Sequence, residues 1–455
     1  MTKSKHFKRL MLSIFNGSAY RLKTLLLAGC ASALLFSSLF ADLTGPVRTK
    51  SEFLQAISLA EPGAVIEISN GNYQNWRVEI DCEGTSDRPI RIRAQTKHQV
   101  VFSGINHFRI SGRYIEISGI LFENCNFQSN LLEFRKSENC ILTECIIRNS
   151  GGDSAAVSIK PGARNNLITK CEFINLAARC INLTVNEDIH SSGIPTNNVI
   201  RENVFRDIPA KGENGRETIK IGQNQPENGH VRTLTLVENN TFIRCDGEGE
   251  IISNKSAGNI YRQNQFFDCE GELVMRGGRD CLIEGNKLFN CRGGIRLSGT
   301  GHTVKNNWII NSRTTGIRLL YGMTAEQGGH YQAPSGCLIT HNTILNSAEA
   351  GIRMGDGRNK DWGAEKGIQS IAPYNNTFAE NIISGTQGEL IVQLFSPQNE
   401  INRNWFHLDG NAKATNPGKN PFYGDPLFRD VSAQDYRLSS DSPVRKVLSI
   451  ADSEF

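Results

Sequence analysis

The chain has 455 residues, more than one compact core usually supports, so it holds either two domains or an elongated repeat that grows without thickening. It carries 50 basic and 46 acidic residues, but its first 41 residues hold six of the basic ones and no acid. Without them 44 basic residues face 46 acidic ones, a net of −2, which excludes the strong positive field that bulk binding to nucleic acid requires.

Lys3, Lys5, Lys8, Arg9, Arg21 and Lys23 precede a segment from Thr24 to Ala41 that is almost wholly apolar or small, the pattern of a signal peptide cut after Ala41. The expected destination is the periplasm or the exterior, with no membrane span in the mature chain. Leu27-Ala28-Gly29-Cys30 offers an alternative, a lipoprotein signal with a lipid anchor on Cys30, but the apolar run continues past Cys30 and favours the simple peptide. Export permits disulfides among the eleven cysteines that remain. Residues 42–455 show no Pro/Ser linker and are expected to form one domain.

After an amphipathic stretch, "SEFLQAISLA" at 51–60, the chain becomes repetitive. Asn203, Asn240, Asn264, Asn286, Asn307, Asn342, Asn381 and Asn404 each stand two places before an apolar residue, at steps of 37, 24, 22, 21, 35, 39 and 23 residues. The short steps are one coil of a solenoid and the long ones are coils with insertions. Cys145 and Cys171 take the Asn position upstream, and Cys245, Cys269 and Cys291 recur in register with Ser312 and Ser347, which suggests stacked rather than paired sulfurs. The intervening units, such as "LTLVENNTF" and "CLIEGNKLF", are short β-branched or apolar runs without helical periodicity. The expected fold is all-β, a right-handed single-stranded parallel β-helix with a short N-terminal capping helix over 51–60. The stacked Asn form an amide ladder, and the turn-rich "GDPLFRDVSAQDYRLSSDSPV" forms a terminal cap.

Glu248 and Glu250 lie two apart, so a strand would point both carboxylates to one face. Two like charges so close are costly unless a cation sits between them, and oxygen donors of this kind suit Ca²⁺, the alternative being a pair of solvated acids at a turn. Lys255 follows, and Arg276 lies 21 residues beyond it, one coil step along. "GIR" recurs with Arg296, Arg318 and Arg353, at steps of 22 and 35 residues, so three guanidinium groups stack in a column with the parity of Arg276. Such a column matches the carboxylates or sulfates of an acidic polymer.

One reaction uses these groups together, β-elimination from a uronate. A cation neutralises the C5 carboxylate, Lys255 abstracts the C5 proton, and Arg276 assists departure of O4. Arg276 and the cation would both disfavour the ammonium form of Lys255, as its role as base requires.

"GTSDRPIRIRAQ" at 84–95, "NGRETIKIG" at 214–222, "NKS" around Lys255, "MRGG" around Arg276 and the terminal "DPLF…DYRL" together resemble polysaccharide lyase family six, the β-helical alginate lyases and chondroitinase B. The resemblance implies Lys255 as base, Arg276 as acid, and a Ca²⁺ held by Glu248, Glu250 and Asn214. It departs at Gly277, where the family often has His, and at Lys220, where it often has Arg. Alginate is the favoured substrate. Dermatan sulfate, C5-epimerisation without chain cleavage, and a non-catalytic polysaccharide-binding surface are the alternatives.

Overall fold

The computed structural model describes residues 45–185, 193–212, 214–223, 229–323, 331–363, 367–385, 388–394 and 398–448. The signal segment 1–41 and Cys30 lie outside the described residues. Among those described, no helix is long and apolar enough to cross a membrane.

The short apolar runs alternate as strands must, with Ile90, Ile92 and Ala94 buried while Arg91 and Arg93 face solvent. They stack in parallel into three sheets. The first has thirteen strands, from Val65–Ile68 to Glu400–Asn402. The second runs from Gly71–Gln74 to Phe422–Tyr423, and the third from Arg77–Ile80 to Ile391–Gln393. Two long strands, Ile146–Ile159 and Glu172–Leu183, turn the corner between the second and third sheets. The result is the right-handed parallel β-helix expected from the repeat.

Neighbouring coils are held by an internal column of amides. Asn203 Nδ2 donates to Asn240 Oδ1 at 3.0 Å, Asn240 to Asn264 at 3.0 Å, and the chain continues through Asn286, Asn307, Asn342, Asn381 and Asn404 at 2.9 Å each. Each Oδ1 also accepts from the backbone N–H of the Asn one coil earlier, as in Asn264 N to Asn286 Oδ1 at 3.1 Å. The residue before each Asn turns the corner in the left-handed region. Glu202, Asn239, Gln263, Asn306, His341, Glu380 and Arg403 all have φ from 54° to 57°. That conformation costs a side-chain-bearing residue roughly 1 kcal/mol, which the amide bonds beside it offset.

The cysteines stack as expected. All eleven described ones are free and buried, and Cys245 N donates to Cys269 Sγ at 3.4 Å. Beside them Phe173, Phe205, Phe242 and Phe266 stack with centroids 4.8, 4.8 and 4.6 Å apart.

Helix α1 (Lys50–Ser58) begins at a capping box made by Thr49 and Glu52, and it inserts Phe53 and Ile57 into the core, Phe53 5.5 Å from the Trp76 ring. This is the N-terminal cap. The C-terminal segment folds back along the flank of the solenoid. Tyr436 packs on Trp308, Ile310 and Leu345, while Leu438, Val444 and Leu448 cover Ile382 and Trp405. Those outward positions are apolar because this segment covers them.

Six consecutive strands of the third sheet carry the charged outer face: β1 (Ile219–Gly222), β2 (Glu250–Lys255), β3 (Glu272–Met275), β4 (Ile295–Leu297), β5 (Thr315–Leu320) and β6 (Ala350–Asp356).

Truncating one rung tests the ladder. Asn264→Ala strands both N–H groups that Asn240 donates to it in the core and leaves the Oδ1 of Asn286 with only the backbone N–H of residue 264. It should lower stability by about 2–3 kcal/mol, read as a lower urea midpoint at unchanged slope.

A second test concerns His302, fully buried, whose Nδ1 accepts from Cys281 N at 3.2 Å while Nε2 lies 3.1 Å from Ser298 O. Burial lowers its pKa to about 4. The unfolded chain therefore binds the proton first as pH falls, so stability present above about 6.5 should be lost towards pH 4. Melting curves of the parent and His302→Asn across that window should converge at low pH.

Candidate active site

Lys255 ends β2, and the register Asn254↔Met275 with the bond from Arg276 N to Asn254 O at 2.9 Å sets Arg276 beside it in the next coil. Both side chains leave the same outer face of the third sheet. Arg276 Nη1 donates to Glu250 Oε1 at 3.3 Å, and its guanidinium lies 4.4 Å above the Tyr331 ring. Tyr331 stacks on Trp362 at 5.2 Å, and Lys360 Nζ caps that indole at 3.9 Å. The coil insertions following Asn307 and Asn342 supply this wall.

Glu248 does not lie on the strand. It sits in the bend before β2, and β2 carries a bulge between Glu250 and Ile252. The two carboxylates therefore converge through the bend rather than through alternation along a strand. A third joins them, because oxygen atoms of Glu217, Glu248 and Glu250 lie within 4.8 Å of one another.

Glu217 is buried and receives Arg179 Nε at 2.6 Å and Lys255 Nζ at 3.1 Å. Burial opposes its charge, but Lys255 and Arg179 prevail and hold its pKa down to about 2. Glu250 accepts from Arg296, Arg276 and the Ser253 hydroxyl, and against burial those cations keep it ionised. Glu248 differs. Among the described residues its carboxylate accepts only the backbone N–H groups of Gly215 and, at 2.8 Å, Arg216, and burial together with the charges of Glu217 and Glu250 raises its pKa. A cluster of hard oxygen donors with one uncompensated carboxylate fits a divalent cation. Asn214, the expected third ligand, is exposed beside Gly215, and its carbonyl accepts from Lys211 at 3.2 Å.

Sequence reasoning missed Glu217, Arg179 and Tyr331. Glu217 stands two residues before Ile219, whose partner is Ile252, so it aligns with Glu250 in the next coil. That step is 33 residues long and an insertion hides it.

Arg296, Arg318 and Arg353 do stack in register, aligned with Val274 and not with Arg276, which stands two residues over on the same face. Carboxylates engage the first two closely. Arg318 makes a bidentate pair with Glu272 at 2.8 and 2.6 Å and reaches Asp356 at 2.7 Å, while Arg296 is shared by Glu250 and Glu272. Arg353 is looser, 3.6 Å from Glu349.

Lys220, aligned with Ser253, is half-buried, and burial with the charges of Lys255 and Arg179 lowers its pKa to about 8. At Gly277 an added Cβ would meet nothing within 4 Å, so open space adjoins Arg276.

A groove on a parallel β-helix that sets a buried lysine and an arginine beside grouped carboxylates defines a polysaccharide lyase. The family described as Chondroitinase B matches residues 47–416. A mannuronic-acid-specific polysaccharide lyase of family six from human gut microbiota is 25% identical over 85% of this chain and 91% of its own, with a TM-score of 0.73. The family-six lyase Pedsa3628 of Pseudopedobacter saltans is 25% identical over 89% and 98%, with a TM-score of 0.71. The family-six alginate lyase AlyGC is also 25% identical, over 90% of this chain but 57% of that one, with a TM-score of 0.75. The uncharacterized protein YwoF of Bacillus subtilis is 28% identical over 95 residues, a fifth (20%) of its length. The chain belongs to the chondroitinase B family, polysaccharide lyase family six.

Glu272 ties Arg296 and Arg318 to the site. Glu272→Gln should destabilise the protein by about 3 kcal/mol, the scale for removing one partner of a buried pair, and denaturant titration should show it.

Proposed function

We propose that the protein cleaves alginate by β-elimination, with Lys255 as base and Arg276 as the group that assists the leaving oxygen. The observation that carries this is the placement of Lys255 and Arg276 at adjoining coil positions over the Glu217, Glu248 and Glu250 cluster. The C5 proton passes to Lys255 Nζ, the C5–H electron pair forms the C4–C5 double bond, and the C4–O4 bond breaks. O4 leaves with a hydrogen bond or proton from the Arg276 side. Tyr331 beneath Arg276 and Glu250 at its edge hold the guanidinium in place.

Glu248, Glu250, Glu217 and Asn214 are the groups that would hold Ca²⁺. When bound, the ion would neutralise the C5 carboxylate of the substrate and the enolate-like charge formed on proton loss. Arg353, the least engaged of the stacked arginines, faces the polymer. Arg296 and Arg318 serve it indirectly by fixing Glu250 and Glu272. The 1–41 segment would export the chain to where such polymers lie.

Wild-type protein incubated with alginate should yield an unsaturated, ultraviolet-absorbing end and shorter chains. Lys255→Ala should lose about 10²–10⁴-fold in rate; wild-type kinetics from that variant would remove Lys255 as the base. Altered uronate composition at constant length would identify an epimerase instead, and product from dermatan sulfate alone would move the substrate. Prior chelation should slow the reaction and added Ca²⁺ restore it.

A further inference from the structure

The third sheet carries a second concentration of positive charge that the chemistry above does not use. Arg135, Lys160, Thr184, Gly222 and Lys255 each follow one of the register-aligned residues Phe134, Ile159, Leu183, Ile221 and Asn254. They therefore occupy one column on the outer face. Arg135 is four coils from Lys255, about 19 Å at the usual spacing of parallel strands.

Around Arg135 the charges do not balance. Glu133 is buried and accepts from Arg135 Nε at 2.6 Å and Asn130 Nδ2 at 2.9 Å, with Arg109 Nε at 3.4 Å and His107 Nε2 at 3.9 Å. Ser154 Oγ donates to Asn130 Oδ1 at 2.6 Å and fixes that amide. The Nε of Arg109 is buried without a hydrogen-bond partner. Lys160 is half-buried, and among the described residues no carboxylate lies within ion-pair distance of it. Burial lowers its pKa, and the pull of Glu133 is countered by the charge of Arg135. Glu79 adds a second carboxylate, 3.7 Å from Arg109 Nη1, so two carboxylates face Arg109, Arg135 and Lys160 and leave positive charge over. Solvated surface pairing does not need a half-buried, unpaired ammonium, which is unfavourable unless an anion comes to it. The floor towards Lys255 is polar and low, formed by Ser158, Asn182 and Thr184.

We propose that Arg109 and Arg135, held by Glu133, form with Lys160 a distal site for a carboxylate of the polyuronate chain, four coils from the cleavage centre on its N-terminal side. The site grips sugars remote from the cut bond and so favours long polymers over short ones. This inference rests on the lyase reading for its substrate, but the site can be tested without catalysis.

Lys160→Gln is the first variant, because it breaks no ion pair; Arg135→Gln is the second, with its melting temperature checked because it loosens Glu133. The ratio of kcat/KM on long alginate to kcat/KM on a trisaccharide should fall about tenfold in either, the loss expected for one charge-assisted contact. In parallel, migration in native gels containing alginate should be retarded for Lys255→Ala and less so for Lys255→Ala with Lys160→Gln. An unaltered ratio, or equal retardation of the two, would overturn the site. Retardation relieved by Lys160→Gln in a protein that makes no unsaturated product would keep the site and remove the lyase reading instead.

Discussion

The backbone hydrogen bonds between neighbouring coils are the constraint on which the rest of the molecule depends. Each coil of a solenoid stacks only on its immediate neighbours, so those neighbours must set its register. A slip of one residue would turn every outward side chain inward. The Asn column resists such a slip, because each amide donates to the next coil and accepts its predecessor's N–H at one corner only. Because the corner is fixed, the third sheet can absorb insertions elsewhere and still deliver Lys255 beside Arg276.

The site spends that rigidity on electrostatics. Glu217, Glu248 and Glu250 would repel one another if free to move, yet Lys255, Arg179, Arg276 and Arg296 are held among them by strands that cannot separate. Fixed charges of this kind need not reorganise when charge develops on a substrate, the usual source of electrostatic catalysis. Their burial opposes folding, and the long apolar core beneath supplies the stability that holds them in place.

Much of this was legible in the sequence, for a reason specific to solenoids. When the fold is a repeat, adjacency in space follows from a fixed step in sequence, so the 21-residue step from Lys255 to Arg276 and the 22-residue step from Arg296 to Arg318 mapped directly onto coil neighbours. What escaped lies where the step is broken. Glu217 precedes an insertion that stretches its coil to 33 residues, and Tyr331 and Trp362 sit within insertions that carry no repeat at all. Alternation along a strand predicts Glu248 and Glu250 on one face, whereas Glu248 stands in the bend before the strand and converges on Glu250 from there. The terminal "DPLF…DYRL" segment looked like an end cap because it is turn-rich, but its apolar residues pair with Trp308, Ile310 and Trp405 on the flank.

The arginine column shows how a correct placement can carry a different meaning from the one its composition suggests. Three stacked guanidinium groups read in isolation are an anion track. Glu272 and Asp356 stand between them in the structure, and Arg318 meets both. An arginine already bound in bidentate fashion has little left for a polymer carboxylate, so the charge of Arg296 and Arg318 is directed inward, towards the acids that shape the site. Positive charge left for a polymer must then come from residues without such partners. Arg353 is loosely paired at one end of the groove and Lys160 lacks a described partner at the other, so the proposed active centre lies between two places where a polyanion can be held.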